Sequence, residues 1–241
     1  EITITAASVG ADGRVHLSFT ASRDGAPLSL DALAALGPSF TLAELSPHPV
    51  DGMGAWKSLL LVGADTNPFL PPSGPGTPPG AIVANARQPG AESNGALAGA
   101  DGAFTYDFAN AIPAGAVPTD TFRAGLFLEN AAGTPRSCAT WDFVPAGGAP
   151  APRDTVLDKN CDVCHGSVSH HDGHRVGVKL CLTCHTWQNF DPDTVDPAAL
   201  WPGSASSDPN PLELGRLVHR IHRGKDLPTL FAATTTAVPA P

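Results

Sequence analysis

The chain has 241 residues, of which 42% are hydrophobic and 15% are charged, and its formal net charge is −9. With only 14 lysines and arginines, it lacks the cations that a nucleic-acid-binding surface needs to neutralise phosphates, so no nucleic-acid partner is expected. No stretch approaches the roughly 20 consecutive apolar residues of a membrane-spanning helix, so no transmembrane segment is predicted. The 25 glycines and 25 prolines predict short elements joined by many turns.

Residues 1–147 have the pattern of an antiparallel β domain. Two alternating runs, Ile2 to Ile4 and Val15 to Phe19, flank a turn at 11–13, and this period of two predicts a pair of strands. Strands separated by Gly/Pro turns indicate a sandwich or barrel with Greek-key-like connections. Further strands are expected at 39–45, 55–62, 103–108, 122–129 and 139–144, with a short helix at 28–36 and an irregular proline-rich tract at 68–82.

Residues 148–241 form the second predicted domain, which is mostly irregular or helical. A Gly/Pro/Ala-rich linker is expected at 145–154, after which the strand patterns stop. Seven of the nine histidines and four of the five cysteines lie beyond it. The fifth, Cys138, belongs to no motif and is expected to be a buried small residue.

The four cysteines form two pairs, Cys161/Cys164 and Cys181/Cys184, separated by 16 residues. This spacing fits a four-thiolate zinc site, which is the direct alternative. However, a histidine follows each pair, His165 and His185, and a closed four-thiolate site has no use for either. A C-x-x-C-H motif is what covalent haem attachment needs, because two thioethers fix the ring and the adjacent histidine ligates the iron. We therefore predict two covalently attached haem c groups.

Other histidines supply candidates for the second axial ligand of each iron. The segment 210–223 predicts a helix that begins with Asn210 as N-cap and Pro211 in the first turn and ends before Gly224. His219 and His222 lie three residues apart on it and so share a face. We expect at least one of them to be a ligand. The only methionine, Met53, lies in the β region, so methionine ligation is not expected.

The order of these motifs resembles that of the OmcA/MtrC family of outer-surface multihaem c-type cytochromes. The segments "CDVCHG", "HHDGHR", "CLTCH" and "LVHRIHRGKDLP" are similar to the family's C-x-x-C-H, H-G-G-x-R, C-x-x-C-H and I-H-x-I-H order. In this comparison His171 matches the histidine of H-G-G-x-R, and His219 and His222 match the last element. Asp172 replaces the first glycine, and the chain carries fewer haem motifs than typical members.

The resemblance implies a β domain followed by the opening of a haem domain, and electron transfer to external acceptors such as metal oxides or flavins. The partners implied are other multihaem cytochromes. With two histidines on each iron, we expect a two-haem relay rather than a substrate-turnover enzyme. His171 is expected to serve the second haem and the 210–223 helix the first. The surplus histidine would then cap a further haem, downstream or in a neighbouring subunit of a cytochrome filament.

The expected location is outside the cytoplasm, because haem c is attached after export. The chain opens at Glu1 without a methionine, which we interpret as a mature exported chain or a trimmed one. A position at the cell surface, rather than in the periplasm, is what the resemblance implies.

Overall fold

The computed structural model describes residues 1–48, 51–62, 88–130, 137–189 and 212–223. The proline-rich tract and the predicted caps Asn210, Pro211 and Gly224 lie outside these residues. The described elements are, in chain order, β1 (Ile2–Val9), β2 (Arg14–Arg23), β3 (Ala26–Pro27), α1 (Leu30–Ala35), β4 (Pro38–Pro47), β5 (Gly54–Ser58), β6 (Leu61–Val62), β7 (Gln88–Pro89), β8 (Ala96–Ala100), β9 (Ala103–Ala111), β10 (Phe122–Leu128), β11 (Cys138–Phe143), α2 (Asp158–His165), β12 (Ser169–His170), β13 (Arg175–Val176), α3 (Val178–Cys184) and α4 (Leu214–Arg223).

Two antiparallel sheets face each other in the first part of the chain. The first sheet has the order β1-β2-β9-β8, with β3 paired to β2, and the second has the order β11-β10-β4-β5. The inner residues of both sheets form one buried core. Across it, the rings of Phe40 and Tyr106 stack with their centroids 3.6 Å apart. The predicted antiparallel sandwich is confirmed.

The sequence pattern identifies the strands with large alternating side chains and misses those without them. The predicted strands overlap β1, β2, β4, β5, β9, β10 and β11, and the predicted helix overlaps α1. The single strand expected at 55–62 is divided into β5 and β6. β8, with the sequence ALAGA, was missed because its small residues show no alternation. Its neighbour Gly95 lies so close to β9 that a Cβ there would meet the Asp107 carbonyl oxygen at 2.2 Å.

Strand β10 is buried along its whole length because both of its faces are covered. Phe122, Ala124 and Leu126 belong to the sandwich core. The alternate residues, Arg123, Gly125 and Phe127, point to the opposite side of the second sheet, which we call the outer face, since side chains alternate along a strand. These outer residues are also buried, so a later part of the chain must cover them.

Helix α3 covers the middle of this face, at Gly125. It packs on β10 and β4, and its buried residues are Val178, Leu180 and Thr183. A Cβ on Gly125 would lie 2.6 Å from the Leu180 Cδ1 and 2.3 Å from the Thr41 Oγ1. Gly125 therefore allows the helix to approach the strand closely.

Beyond the sandwich, the described residues form three short helices, α2, α3 and α4, and the two-residue strand pair β12–β13. The mostly irregular or helical character expected for residues 148–241 and the domain boundary at 147/148 stay predictions. In the described ranges, no helix combines the length and apolar character needed to cross a membrane.

Candidate functional site

The first motif lies on a helix that is largely open to solvent. Cys161, Cys164 and His165 belong to α2, which ends at Gly166 with φ +69°, a conformation that glycine adopts without strain. Cys164 and His165 are exposed, and Val163 between the two thiols is 84% exposed. The helix thus presents Cys164 and His165 to solvent, while Cys161 is partly buried.

The second motif is held against the sandwich. Cys181 and Cys184 belong to α3, and His185 is its C-cap residue. On the buried side of the helix, the hydroxyls of Thr183 and Thr41 lie 2.8 Å apart. Burial raises the pKa of the Cys181 thiol to about 11 and also raises the pKa of Cys184. Both thiols are therefore protonated at neutral pH, and all of the cysteines are free.

The strand pair β12–β13 brings another histidine to the second motif. Its turn contains His171, Asp172 and Gly173, with φ of 56°, 58° and 83°. This left-handed region favours glycine, and aspartate is among the few other residues that tolerate it. Asp172 can therefore stand where the resembled motif has glycine. The turn places the ring centroid of His171 at 6.0 Å from that of His185.

Helix α4 brings a histidine to the first motif in the same way. Its start is anchored to the second motif, because the Leu214 N–H donates to the His185 carbonyl at 3.0 Å. From there the helix places the ring centroid of His222 at 6.0 Å from that of His165. Each C-x-x-C-H histidine thus has a second histidine at the same distance.

The hydrogen bonds of two of these rings leave one nitrogen available. The Nδ1 of His185 lies 2.8 Å from the Leu212 carbonyl oxygen, and the Nδ1 of His222 lies 2.8 Å from the Val218 carbonyl oxygen. Since a carbonyl only accepts, each Nδ1 is the donor, and in a neutral ring the lone pair is then on Nε2. A backbone carbonyl that accepts from one ring nitrogen in this way is typical of metal-ligating histidines.

The separations also fit two imidazoles on opposite sides of one metal ion. With metal–nitrogen distances of about 2 Å on each side, the two ring centroids lie about 6 Å apart. The pairs His165/His222 and His171/His185 both have this separation. We call Cys161, Cys164, His165 and His222 the first site, and Cys181, Cys184, His185 and His171 the second site. The assignment of His171 and His222 as ligands stays a prediction.

The zinc alternative needs four converging thiolates. Within the described ranges, no group of three or more His, Cys, Asp or Glu side chains could hold one metal ion. The two cysteine pairs lie on separate helices, α2 and α3. The described geometry therefore favours two separate sites over one tetrahedral zinc centre.

The remaining candidates lie apart from the two histidine pairs. His219 is on α4 one turn before His222, with an exposed side chain. Cys138 is partly buried, and its thiol donates a hydrogen bond to the His174 carbonyl oxygen at 3.2 Å. Burial raises its pKa, which agrees with the structural role expected for it.

Arg175 is a site neighbour to which the sequence analysis gave no role. Burial lowers the pKa of His171 and His185, and the Arg175 charge lowers the pKa of both further. The signal was present in the sequence, since Arg175 matches the arginine of the H-G-G-x-R element. Nothing in the spacing alone indicated that its guanidinium lies beside the second site.

Comparison with known proteins finds one family model that matches part of the chain and solved structures with a similar fold. Residues 153–240 match the family model described as outer membrane cytochrome MtrC/MtrF-like, domains II/IV. The structure is similar to that of the outer membrane decaheme cytochrome OmcA, with a TM-score of 0.66 and 21% identity over 94% of this chain and 33% of that chain. It is also similar to MtrC from Shewanella baltica OS185, with a TM-score of 0.56 and 19% identity over 92% of this chain and 32% of that chain.

These findings confirm the resemblance predicted from the motifs. At such identities the structural likeness concerns the fold, and the chain spans about a third of the length of each solved structure. No curated protein sequence matches the chain.

Proposed function

Because residues 153–240 resemble a domain of outer membrane cytochromes, we propose that this chain is a dihaem c-type electron-transfer protein. The observation that carries the proposal is the pairing of each C-x-x-C-H histidine with a second histidine at 6.0 Å. Neither motif is used in a disulfide, so all four thiols are available for thioether bonds.

The residues of each site have distinct roles in this proposal. Cys161 and Cys164 would hold the first haem covalently, and Cys181 and Cys184 would hold the second. His165 and His222 would bind the iron of the first haem, and His185 and His171 would bind that of the second. When bound, haem supplies reversible one-electron chemistry at its iron.

Two histidines at each iron exclude substrate from the metal. A site with both axial positions filled has no vacancy for bond chemistry, so the expected activity is electron transfer. Histidine ligation without methionine also predicts low reduction potentials, because a methionine ligand raises them. The contacts of His185 with Leu212 and Leu214 connect the second motif to the start of the helix that carries His222.

The proposed setting is extracellular electron transfer. We infer an exported chain at the cell surface, which receives electrons from other multihaem cytochromes and delivers them to external acceptors such as metal oxides, soluble metals or flavins. Support comes from the family match and the fold.

The test is an absorption spectrum of the purified protein, oxidised and dithionite-reduced, with the covalent haem counted by mass spectrometry. Two haems per chain with sharp low-spin bands are expected. A colourless protein that contains zinc would overturn the proposal. A high-spin ferric spectrum would instead indicate an open coordination position and substrate chemistry.

A second candidate function is that of a subunit in a conductive cytochrome filament. The observation that favours it is the exposed side chain of His219, one turn from His222 on α4, where it could cap the haem of a neighbouring subunit. In that case the purified protein forms polymers visible by electron microscopy, and His219→Ala disperses them. A monomer at all concentrations would exclude this candidate.

A further inference from the structure

The start of α4 is held by three hydrogen bonds to a part of the chain that is distant in sequence. The Leu212 N–H donates to the Asn189 carbonyl at 2.8 Å, and the Leu214 N–H donates to the His185 carbonyl at 3.0 Å. The His185 Nδ1 donates to the Leu212 carbonyl at 2.8 Å, across 27 positions of the sequence. The segment 212–214 is therefore attached to the end of the second motif and to the loop that follows it.

Asn189 fixes this loop with its side chain and its backbone. Its Nδ2 donates to the Cys184 carbonyl at 3.2 Å, and its N–H donates to the Thr186 carbonyl at 3.0 Å. Cys184 is the last residue of α3, which packs on the sandwich. The two bonds therefore tie Asn189 to a well-packed part of the fold, and its own carbonyl is held where it accepts the Leu212 N–H.

The later part of α4 is largely open to solvent. Leu214 and Leu217, in its first turn, are half-buried. The exposed residues beyond them are Val218, His219, Ile221 and His222. Arg216 pairs with Glu213 at 3.6 Å, and this ion pair lies within the same segment, so it does not connect the helix to another element. The direction of α4 is therefore set mainly at its start.

His222 lies far from this anchor. It follows Leu214 by eight positions, which is about 12 Å along a helix that rises about 1.5 Å per residue. A tilt of α4 by about 10° at its start would displace His222 by about 2 Å, as much as the length of a metal–nitrogen bond. Ligand geometry needs a precision of about 0.5 Å. The separation of 6.0 Å between His222 and His165 thus depends on how the helix start is held.

We propose that Asn189 is a positioning residue of the first site, an inference that rests on the proposed function. Its amide side chain fixes the start of α4, and α4 in turn keeps His222 opposite His165. A residue in the loop of the second motif thereby controls the ligand of the first. In the haem-loaded chain, Asn189 determines how firmly His222 competes with an external ligand for the first iron.

The experiment is a cyanide titration of the oxidised, haem-loaded chain, followed by visible absorption. Cyanide must displace a histidine from an iron with two histidine ligands, so its affinity reports how firmly that histidine is held. Asn189→Ala is expected to raise the cyanide affinity of the first haem by about fivefold to tenfold, as for the loss of one hydrogen bond, and to leave that of the second haem unchanged. Asn189→Asp keeps the shape of the side chain but not its N–H donor, so the increase should be at least as large.

Two further variants make the result specific. His222→Ala identifies the first haem, because the haem whose cyanide affinity rises in this variant is the one that lost its ligand. In the His222→Ala background, Asn189→Ala should have no further effect on that haem. Asn130→Ala is the matched control, because the Asn130 Nδ2 donates to the Ala35 carbonyl at 3.1 Å in the sandwich. It should leave both affinities unchanged.

Several outcomes would overturn the inference. They are an unchanged affinity of the first haem in Asn189→Ala, an equal increase at both haems, an Asn189→Asp variant that behaves like the unmodified chain, or a further increase in the His222→Ala background. If Asn189→Ala does not fold, Asn189→Asp decides alone. Loss of folding or of haem attachment in both variants would also overturn it, because that would show a general structural role. Failure of the proposed function is separate, because fewer than two covalent haems or a high-spin spectrum would be seen in the unmodified protein.

Discussion

His165 and His222 show how single side chains define a candidate site. Their ring centroids are 6.0 Å apart, and the His222 Nδ1 is engaged with the Val218 carbonyl oxygen, which leaves Nε2 free. His219 lies on the same helix with an exposed side chain. Two residues of the same type, three positions apart, are thus expected to differ in function because only one has a histidine of the first motif beside it.

Replacing these two histidines separately tests the assignment. His222→Ala removes the distal ligand of the first site, so about half of the low-spin absorbance should become high-spin. His219→Ala is the matched control on the same helix and should leave the spectrum of the isolated chain unchanged. Loss of low-spin absorbance in His219→Ala alone would mean that the roles are reversed.

At the scale of elements, the contact of α3 with β10 positions the second site. The buried face of α3 carries Leu180 and Thr183, and the strand offers Gly125 where the helix approaches it. This packing fixes the positions of Cys181, Cys184 and His185, because these residues are on or directly after the same helix. The position of the second site is therefore set by a glycine in the sandwich.

Gly125→Ala should disturb this contact. Its Cβ would lie 2.6 Å from the Leu180 Cδ1 and 2.3 Å from the Thr41 Oγ1, so these side chains or the helix must move, at a cost of about 1–3 kcal/mol in the free energy of unfolding. Chemical denaturation of the purified variant and of the unmodified protein measures this difference in the free energy of unfolding. Gly115→Ala is the control, since nothing lies within 4 Å of its Cβ position, and its stability should be unchanged or slightly higher. Equal stability of the two variants would contradict this account.

The elements also show what the sequence could predict. Strands with alternating large residues, such as β2, were predicted because the period of two is a local signal. The pairing of His222 rather than His219 with the first motif could not be predicted, because both histidines share one face of α4. That choice depends on where the helix starts, which is set by contacts of Leu212 and Leu214 with His185.

At the scale of the whole molecule, a charge cluster joins the sandwich to the haem-motif region. Arg123 is fully buried on the outer face of β10 and binds Asp142 at 2.6 and 3.0 Å. It also donates to Asp154, at 2.9 Å, in the predicted linker. The Asp154 carboxylate in turn lies 2.8 Å from the Nζ of Lys179 on α3. Strand, linker and helix are thus held by one network.

This network predicts a loss of stability in acid. Burial raises the pKa of Asp154, but the hydrogen bonds from Lys179 and Arg123 outweigh it and lower the pKa overall. A lowered pKa in the folded chain means that the Asp154 carboxylate binds a proton more tightly in the unfolded chain than in the folded chain. The stabilisation is therefore fully present above about pH 4, the ordinary carboxyl pKa, and is lost as the pH falls through the folded value.

Asp154→Asn should reduce the free energy of unfolding by about 1–3 kcal/mol at pH 7. The difference from the unmodified protein should begin to shrink below about pH 4, where the unfolded chain takes up a proton first, and should be smallest once the folded carboxylate is protonated as well. Urea unfolding of both proteins at a series of pH values measures this difference in the free energy of unfolding. Asp101→Asn, in the exposed turn between β8 and β9, controls for the loss of one negative charge. A difference that does not change with pH would argue against the network.

The doubly covered strand β10 also decides whether the two predicted domains can exist apart. A fragment that ended at residue 147 would expose the guanidinium of Arg123 and the ring of Phe127. The complementary fragment would expose Val178 and Leu180, which are 6% and 3% exposed in the intact chain. We therefore expect the sandwich and the second site to unfold in a single cooperative transition. The linker then joins two segments of one folding unit and does not separate two independent domains.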